Sequence, residues 1–204
     1  TAACLRALGA ELDPRGATLR VTGGIAGTGR VVLDCGESGS TLRFLLPLVL
    51  LSGRPAVLTG RGRLLERPME PYLEALRSNG AQVRAAGGPI EAAGGLAAGI
   101  YELPGDVSSQ YVTGLLLALP LTEGESRIRL TTPLESAAYV EMTLRTLRSF
   151  GAVVEEQDGT YRIPGSQVYR TPGIIPVEGD WSNAAFFLAA GALKSRVRLT
   201  GLSK

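Results

Sequence analysis

Leu5–Ala10 reads LRALGA, Leu76–Ala81 reads LRSNGA and Leu147–Ala152 reads LRSFGA, and both steps are 71 residues. The register runs well past these six letters. At the same offset TLRSFGAVVEE (Thr146–Glu156) falls on ALRSNGAQVRA (75–85), Gly53 falls on Gly124, and the apolar run after Glu37 falls on the one after Ser108. A later copy begins at GDWSNAAFFLAAGAL (Gly179–Leu193), which resembles GDVSSQYVTGLLLAL (Gly105–Leu119); SRVRLTG near its end resembles SRIRLTT. Three or more copies of one supersecondary unit are therefore expected.

Each copy reads alike. A Gly/Ser/Asp-rich turn leads into a run that is apolar nearly all round: TLRFLLPLVLL, YVTGLLLALPL or AAFFLAAGAL. Length and Ala/Leu content favour a buried helix over a buried strand. Next come a strand (AVLTG, RIRLT, VRLTG) and an amphipathic helix (RPMEPYLEALRSNG, SAAYVEMTLRTLRSFG), whose trailing GA suits a C-cap. AELDP, AQVRAA and AVVEEQ then open hairpin-like strands, with an Asp-Gly turn in EEQDGTYRI. The predicted order is helix, strand, helix, strands. Thr1–Leu8 matches the second helix of a copy and Lys204 falls just after the first strand of another. The repeat thus predicts a piece holding half a unit, two complete units and half of a further one.

Composition narrows the function classes. The 204 residues allow one large domain, or one and a part. Gly is abundant (27), but it has no three-residue period and sits among 45% hydrophobic residues, which excludes collagen-like and disordered chains. Cys4 and Cys35 cannot make a disulfide scaffold, and no CxxC or Cys/His cluster suggests a metal, so a reducing, cytoplasmic setting fits. With no histidine, Ser-His-Asp and Cys-His machinery is excluded and acid–base chemistry would fall to carboxylates, Lys or Tyr. A net charge of +2 does not argue for nucleic acid. Arg supplies all the basic residues except Lys194 and Lys204; it favours bidentate binding of phosphate and carboxylate, though a GC-rich genome gives the same bias. The longest apolar run, Phe44–Leu51, is far short of the roughly 20 residues that span a bilayer.

Three turn-to-helix junctions could carry chemistry. In DCGESGSTLRF (Asp34–Phe44) small residues precede a helix N-terminus, whose free N–H groups and dipole receive anions; N-capping by Ser38 or Ser40 explains it equally. The spacing is not that of a Walker A loop. In GDVSSQYVTG (Gly105–Gly114), Ser108, Ser109 and Gln110 open a buried helix with more polar groups than one cap needs, as a small hydroxylated anion would require; capping plus an ST-turn competes. In GDWSNAAFF, Asp180 and Ser182 read as caps. TGRGRLLERP (Thr59–Pro68) sets Arg61, Arg63 and Arg67 around a helix start, where cations gain nothing from the dipole, so they await an anion or face solvent. In PLESAAYVEM, Ser136 and Tyr139 lie one turn apart and could face one cleft, although Tyr139 also suits a core position.

GESGSTLRF, LTGRGRLLERPMEPYLEALRSNGA, GDVSSQYVTGLLLALPL, LESAAYVEMTLRTLRSFGA and VEGDWSNAAFFLAAGAL resemble, in order and across essentially the whole chain, successive blocks of the 5-enolpyruvylshikimate-3-phosphate synthase family, the 3-phosphoshikimate 1-carboxyvinyltransferases. The resemblance implies an α/β fold of repeated units with buried helices and outer mixed sheets. It also implies residues 1–177 as most of a first lobe and 178–204 as the start of a second. The shikimate 3-phosphate site would fall on Ser108, Ser109, Gln110, Ser136 and Tyr139. The phosphoenolpyruvate site, where glyphosate competes, would fall on Gly39, Ser40, Arg63 and Gln110. Arg63 would hold the carboxylate or phosphate of phosphoenolpyruvate, and Gly39 would allow close backbone approach. Many relatives carry Asn at the position of Glu37, to which no ligand role is transferred.

In that family the 5-hydroxyl of shikimate 3-phosphate attacks C2 of phosphoenolpyruvate and phosphate leaves through a tetrahedral intermediate, with no metal or organic cofactor implied. The family's N-terminal Lys-Ser…Arg motif and its second-lobe acid–base residues have no counterpart here, so the catalytic groups are expected outside this chain and the isolated piece is expected to be inactive. The sister transferase acting on UDP-N-acetylglucosamine would place its Cys near Gly62, where there is none. RNA 3′-terminal phosphate cyclases have similar units but need a His. A non-catalytic small-anion-binding domain remains a reading of the isolated piece. No nucleic-acid or membrane partner is expected. The complete protein is expected to be a monomer, whereas exposed unit edges would let the piece self-associate.

Overall fold

The computed structural model describes residues 1–85 and 87–202. They divide into two compact units, Thr1–Arg170 and Thr171–Lys204. In the first unit, helix α1 (Ala2–Ala7) leads into an antiparallel hairpin, β1 (Glu11–Arg15) with β2 (Thr18–Thr22). One complete copy follows: β3 (Val31–Asp34), α2 (Gly39–Leu51), β4 (Ala56–Thr59), α3 (Glu70–Ser78), β5 (Gln82–Ala85) and β6 (Ile90–Ala93). The next repeats it as β7 (Ile100–Leu103), α4 (Ser109–Ala118), β8 (Ser126–Leu130), α5 (Ala137–Ser149), β9 (Glu155–Gln157) and β10 (Thr160–Ile163).

The two sheets have the same topology, β3-β4-β6-β5 and β7-β8-β10-β9. The first two strands of each are parallel because a helix connects them, and the other pairings are antiparallel. Each copy thus opens with a strand ahead of its apolar helix. The expected order of helix, strand, helix, strands does not include this opening strand as part of the unit. Asp158 and Gly159, both with positive φ, make the tight β9–β10 turn anticipated from Asp-Gly.

The LRxxGA strings are three copies of one helix ending. In each, the glycine has positive φ: Gly9 +108°, Gly80 +87°, Gly151 +81°. The alanine N–H then reaches back to the leucine carbonyl, Ala10 to Leu5 at 3.0 Å, Ala81 to Leu76 at 3.1 Å and Ala152 to Leu147 at 2.9 Å. This is the 6→1 bond of a Schellman motif, and it turns the chain from helix into the next strand at the same angle each time.

Helices α2 and α4 lie inside, buried on nearly every side, while β3, β4, β7 and β8 alternate buried residues with more exposed ones and put one face outward. Pro47, inside α2, has no N–H to give the carbonyl of Arg43. The buried Tyr72 hydroxyl of α3 supplies the missing donor at 3.1 Å. Gly114 of α4 faces this spot; a Cβ there would collide with the Arg43 carbonyl and the Tyr72 hydroxyl, so glycine permits the close approach of the two inner helices.

The second unit contains α6 (Trp181–Leu193), capped by Asp180, whose carboxylate accepts the N–H groups of Ser182 (2.7 Å) and Asn183 (3.2 Å). VRLTG (Val197–Gly201), expected as a strand, is not one. Among the described residues that unit offers no second strand to pair with, and the segment's backbone is tied instead by Gly179 N–H to Gly201 O. Of α6, only Ala184 is buried; Phe186, Phe187 and Leu193 are exposed. No helix among the described residues is long and apolar enough to cross a membrane.

Candidate functional site

The N-termini of α2, α4 and α5 meet at one cleft of about 560 Å³. Its lining includes Ser40 and Phe44 from α2, Ser108, Ser109, Gln110 and Thr113 from α4 and its cap, and Ser136, Tyr139, Met142 and Thr143 from α5 and its cap. The repeat explains the convergence: corresponding turns in the two copies deliver α2 and α4 side by side, and α5 packs against α4, with Val140, Leu144 and Leu147 buried. Helix N-termini carry positive partial charge and unpaired N–H groups, so the cleft is suited to an anion.

The hydroxyls are arranged to serve one. Ser108 is an ordinary N-cap whose Oγ accepts from Gln110 N–H at 3.3 Å. The side chains of Ser109, Ser136 and Tyr139 have no hydrogen-bond partner among the described residues, and Tyr139 is 56% exposed, which places it at the rim rather than in the core. Ser136 sits in the left-handed region (φ 60°, ψ 38°) and caps α5 by position without a side-chain bond, leaving its hydroxyl at the mouth of the cleft. Two carboxylates also line it: Asp106 accepts from Thr132 Oγ1 at 2.7 Å, and Glu135 is exposed. Among the described residues neither Arg nor Lys lines the cleft directly, so these residues would hold an anion there by N–H and O–H donors.

Ser40, Ser108, Ser109, Gln110, Ser136 and Tyr139 are thus brought together. Gly39 lies just behind: a Cβ on it would fall 2.5 Å from Arg43 Nη1, 3.0 Å from Arg67 Nη1 and 3.3 Å from Gln110 Oε1. Its lack of a side chain therefore makes room for protein groups. Arg63 stands apart, its side chain 89% exposed and ion-paired with Glu66 at 3.2 Å. Glu37 lies beside Gly62.

Arg43 sits inside the apolar run TLRFLLPLVLL, yet it is central here. It is 5% exposed. Nη1 donates to Gln110 Oε1 at 2.9 Å and Nη2 to the Pro68 carbonyl at 3.2 Å; the guanidinium lies 5.5 Å over the Tyr111 ring, which stacks on Tyr72 at 4.8 Å. No carboxylate pairs with it among the described residues, and its Nε has no partner. A charged residue inside an otherwise apolar buried helix was the available signal. Tyr111 donates to the same Pro68 carbonyl at 2.5 Å. Burial raises the pKa of both tyrosines, only partly opposed by the Arg43 charge, so both hydroxyls stay donors.

The fold is that of an enolpyruvyltransferase. The whole chain, residues 1–204, matches the model of EPSP synthase (3-phosphoshikimate 1-carboxyvinyltransferase), and it belongs to that family. It is 43% identical over 175 residues to the 3-phosphoshikimate 1-carboxyvinyltransferase of Clostridium kluyveri, covering 83% of this chain and 40% of that protein. It is 41% identical over 180 residues to the protein of that name from Tolumonas auensis, covering 85% and 42%. Among solved structures, EPSP synthase from Acinetobacter baumannii superimposes with a TM-score of 0.74 at 28% identity, over 94% of this chain and 44% of that one. The chain therefore spans about 40% of the length of the curated relatives it matches.

Proposed function

We propose that the cleft is the shikimate 3-phosphate subsite of a cytoplasmic 3-phosphoshikimate 1-carboxyvinyltransferase, and that the chain supplies substrate-positioning groups to the transfer of the enolpyruvyl group from phosphoenolpyruvate to the 5-hydroxyl of that substrate. The observation that carries the reading is the convergence of Ser108, Ser109, Gln110, Ser136 and Tyr139 on one cleft at three helix N-termini. The phosphate takes the N–H groups of α4 with the serine hydroxyls, and the remaining hydroxylated ring lies toward Tyr139 and Gln110.

Phosphoenolpyruvate binds beside it at Gly39, Ser40 and Gln110. Arg63 joins by leaving Glu66, which costs little because an exposed ion pair is worth about 1 kcal/mol or less. These groups neutralise two adjacent anions, and C2 of phosphoenolpyruvate is attacked as phosphate departs. Proton transfer belongs to residues outside this chain, so the 204-residue protein alone does not turn over.

Calorimetric titration of shikimate 3-phosphate tests this. The chain should bind it weakly, and the Ser109→Ala/Gln110→Ala double variant should not. Equal binding by both, or none by either, removes the assignment; formation of product by the chain alone refutes the statement about turnover.

A further inference from the structure

A buried guanidinium that faces only neutral acceptors is costly, and swapping it for an apolar side chain of similar size is often neutral or stabilising. What Arg43 does in return is visible in its bonds. Arginine has donors and no acceptor, so the group it faces at 2.9 Å must be the oxygen of the Gln110 carboxamide. That fixes the other end: Gln110 Nε2 is turned to Ser40 and donates to its Oγ at 3.0 Å. The Ser40 hydroxyl accepts this bond on one of its two lone pairs and keeps its proton to give elsewhere, and it lines the cleft. A free carboxamide would present oxygen or nitrogen almost indifferently, and an oxygen here would repel an anion.

We propose that Arg43 is a positioning residue for the anion site. By holding Gln110 Oε1 it sets the polarity of the relay Arg43 to Gln110 to Ser40, so that Gln110 turns its amide nitrogen rather than its oxygen to Ser40 and the Ser40 proton is left to donate into the cleft. The proposal rests on the substrate reading above for its ligand but not for its geometry. Three features support it. The second hand of the guanidinium is anchored on Pro68 O, so the fork cannot swing away. Gly39 leaves the room the fork occupies, since any Cβ there would displace Nη1. Lysine offers a single point ammonium in place of the planar fork whose two nitrogens reach the two acceptors separately, so the arrangement favours arginine.

The test uses the 15N-labelled chain, with the Gln110 side-chain amide resonances identified by their loss in Gln110→Ala. In the parent chain these two protons should exchange slowly and give one sharp pair. In Arg43→Met they should move to free-carboxamide positions and exchange quickly, while the midpoint of urea unfolding is unchanged or higher. Titration with shikimate 3-phosphate should then be weakened about 10- to 100-fold, the loss expected for a misdirected hydrogen bond to a charged group. Arg43→Lys should recover only part of it. The proposal is overturned if the Gln110 amide already exchanges freely in the parent chain, a measurement that needs no variant to fold. It is also overturned if Arg43→Met keeps both resonance and affinity. If the parent chain binds no shikimate 3-phosphate, the substrate reading fails, and the Gln110 resonances still decide the positioning role.

Discussion

Three residues show how far local chemistry reaches. Pro47 removes one donor, Tyr72 replaces it, and Gly114 makes space for the replacement. Tyr72→Phe should therefore cost about 1–2 kcal/mol in urea unfolding, because a buried carbonyl loses the donor that stands in for the N–H proline lacks. The same change should cost less in a Pro47→Ala background, where the helix regains an N–H for Arg43 O; equal costs in both backgrounds would refute the substitution of one donor by the other. Ser136 should behave in the opposite sense. Its left-handed backbone favours glycine, so Ser136→Gly should leave stability unchanged or raise it by up to about 1 kcal/mol, while weakening shikimate 3-phosphate binding through loss of the hydroxyl. These roles differed in legibility. Ser108, Ser109 and Gln110 stood out because three polar groups open an apolar helix. Arg43 did not, because its partners lie 25 and 67 positions away and only the fold brings them near.

Helix endings were the most legible elements, since a Schellman motif is written in consecutive letters. Gly80→Ala and Gly151→Ala should each cost about 1 kcal/mol or slightly more from backbone strain alone, because nothing lies within 4 Å of a Cβ at either position. Gly9→Ala should cost more, as its Cβ would also press on Ala26 at 3.0 Å. Parallel denaturation curves of the three variants would check the ranking. Short strands were less legible. β3 and β7 have four residues each, too few for periodicity to separate them from the loops around them. VRLTG shows the converse: it has strand-like letters but lacks a neighbour among the described residues, and pairing is a property of the sheet rather than of the segment.

For the whole first unit, the core carries an unusual set of protonated acids. Cys35 is pushed up to about 12 by burial and by the adjacent Cys4, and burial lifts Tyr72, Tyr101, Tyr111 and Tyr169 above the ordinary phenol value of 10.0. The unfolded chain releases these protons at lower pH than the folded one, so the native state binds more protons in alkali and stability must fall as pH rises. The fall should begin near pH 9, where a free thiol titrates, and steepen through 10. Urea midpoints between pH 7 and 11 would show it, and a flat profile would contradict the burial of these groups. Native Cys4 and Cys35 should also resist alkylation at pH 8 until the chain is unfolded.

Each complete copy closes its own four-stranded sheet, and the two copies meet mainly through α2 and α4. The connection between them, Gly94–Gly99, crosses no sheet. A polypeptide cut there would leave two pieces with every ladder bond intact, whose cut ends impose no new edge. Co-expressed, such halves should find each other through the inner helices and rebuild the cleft, since Ser40 would come from one piece and Gln110 from the other. Substrate binding would then report reassembly, making the molecule a two-part sensor whose signal exists only when both parts are present.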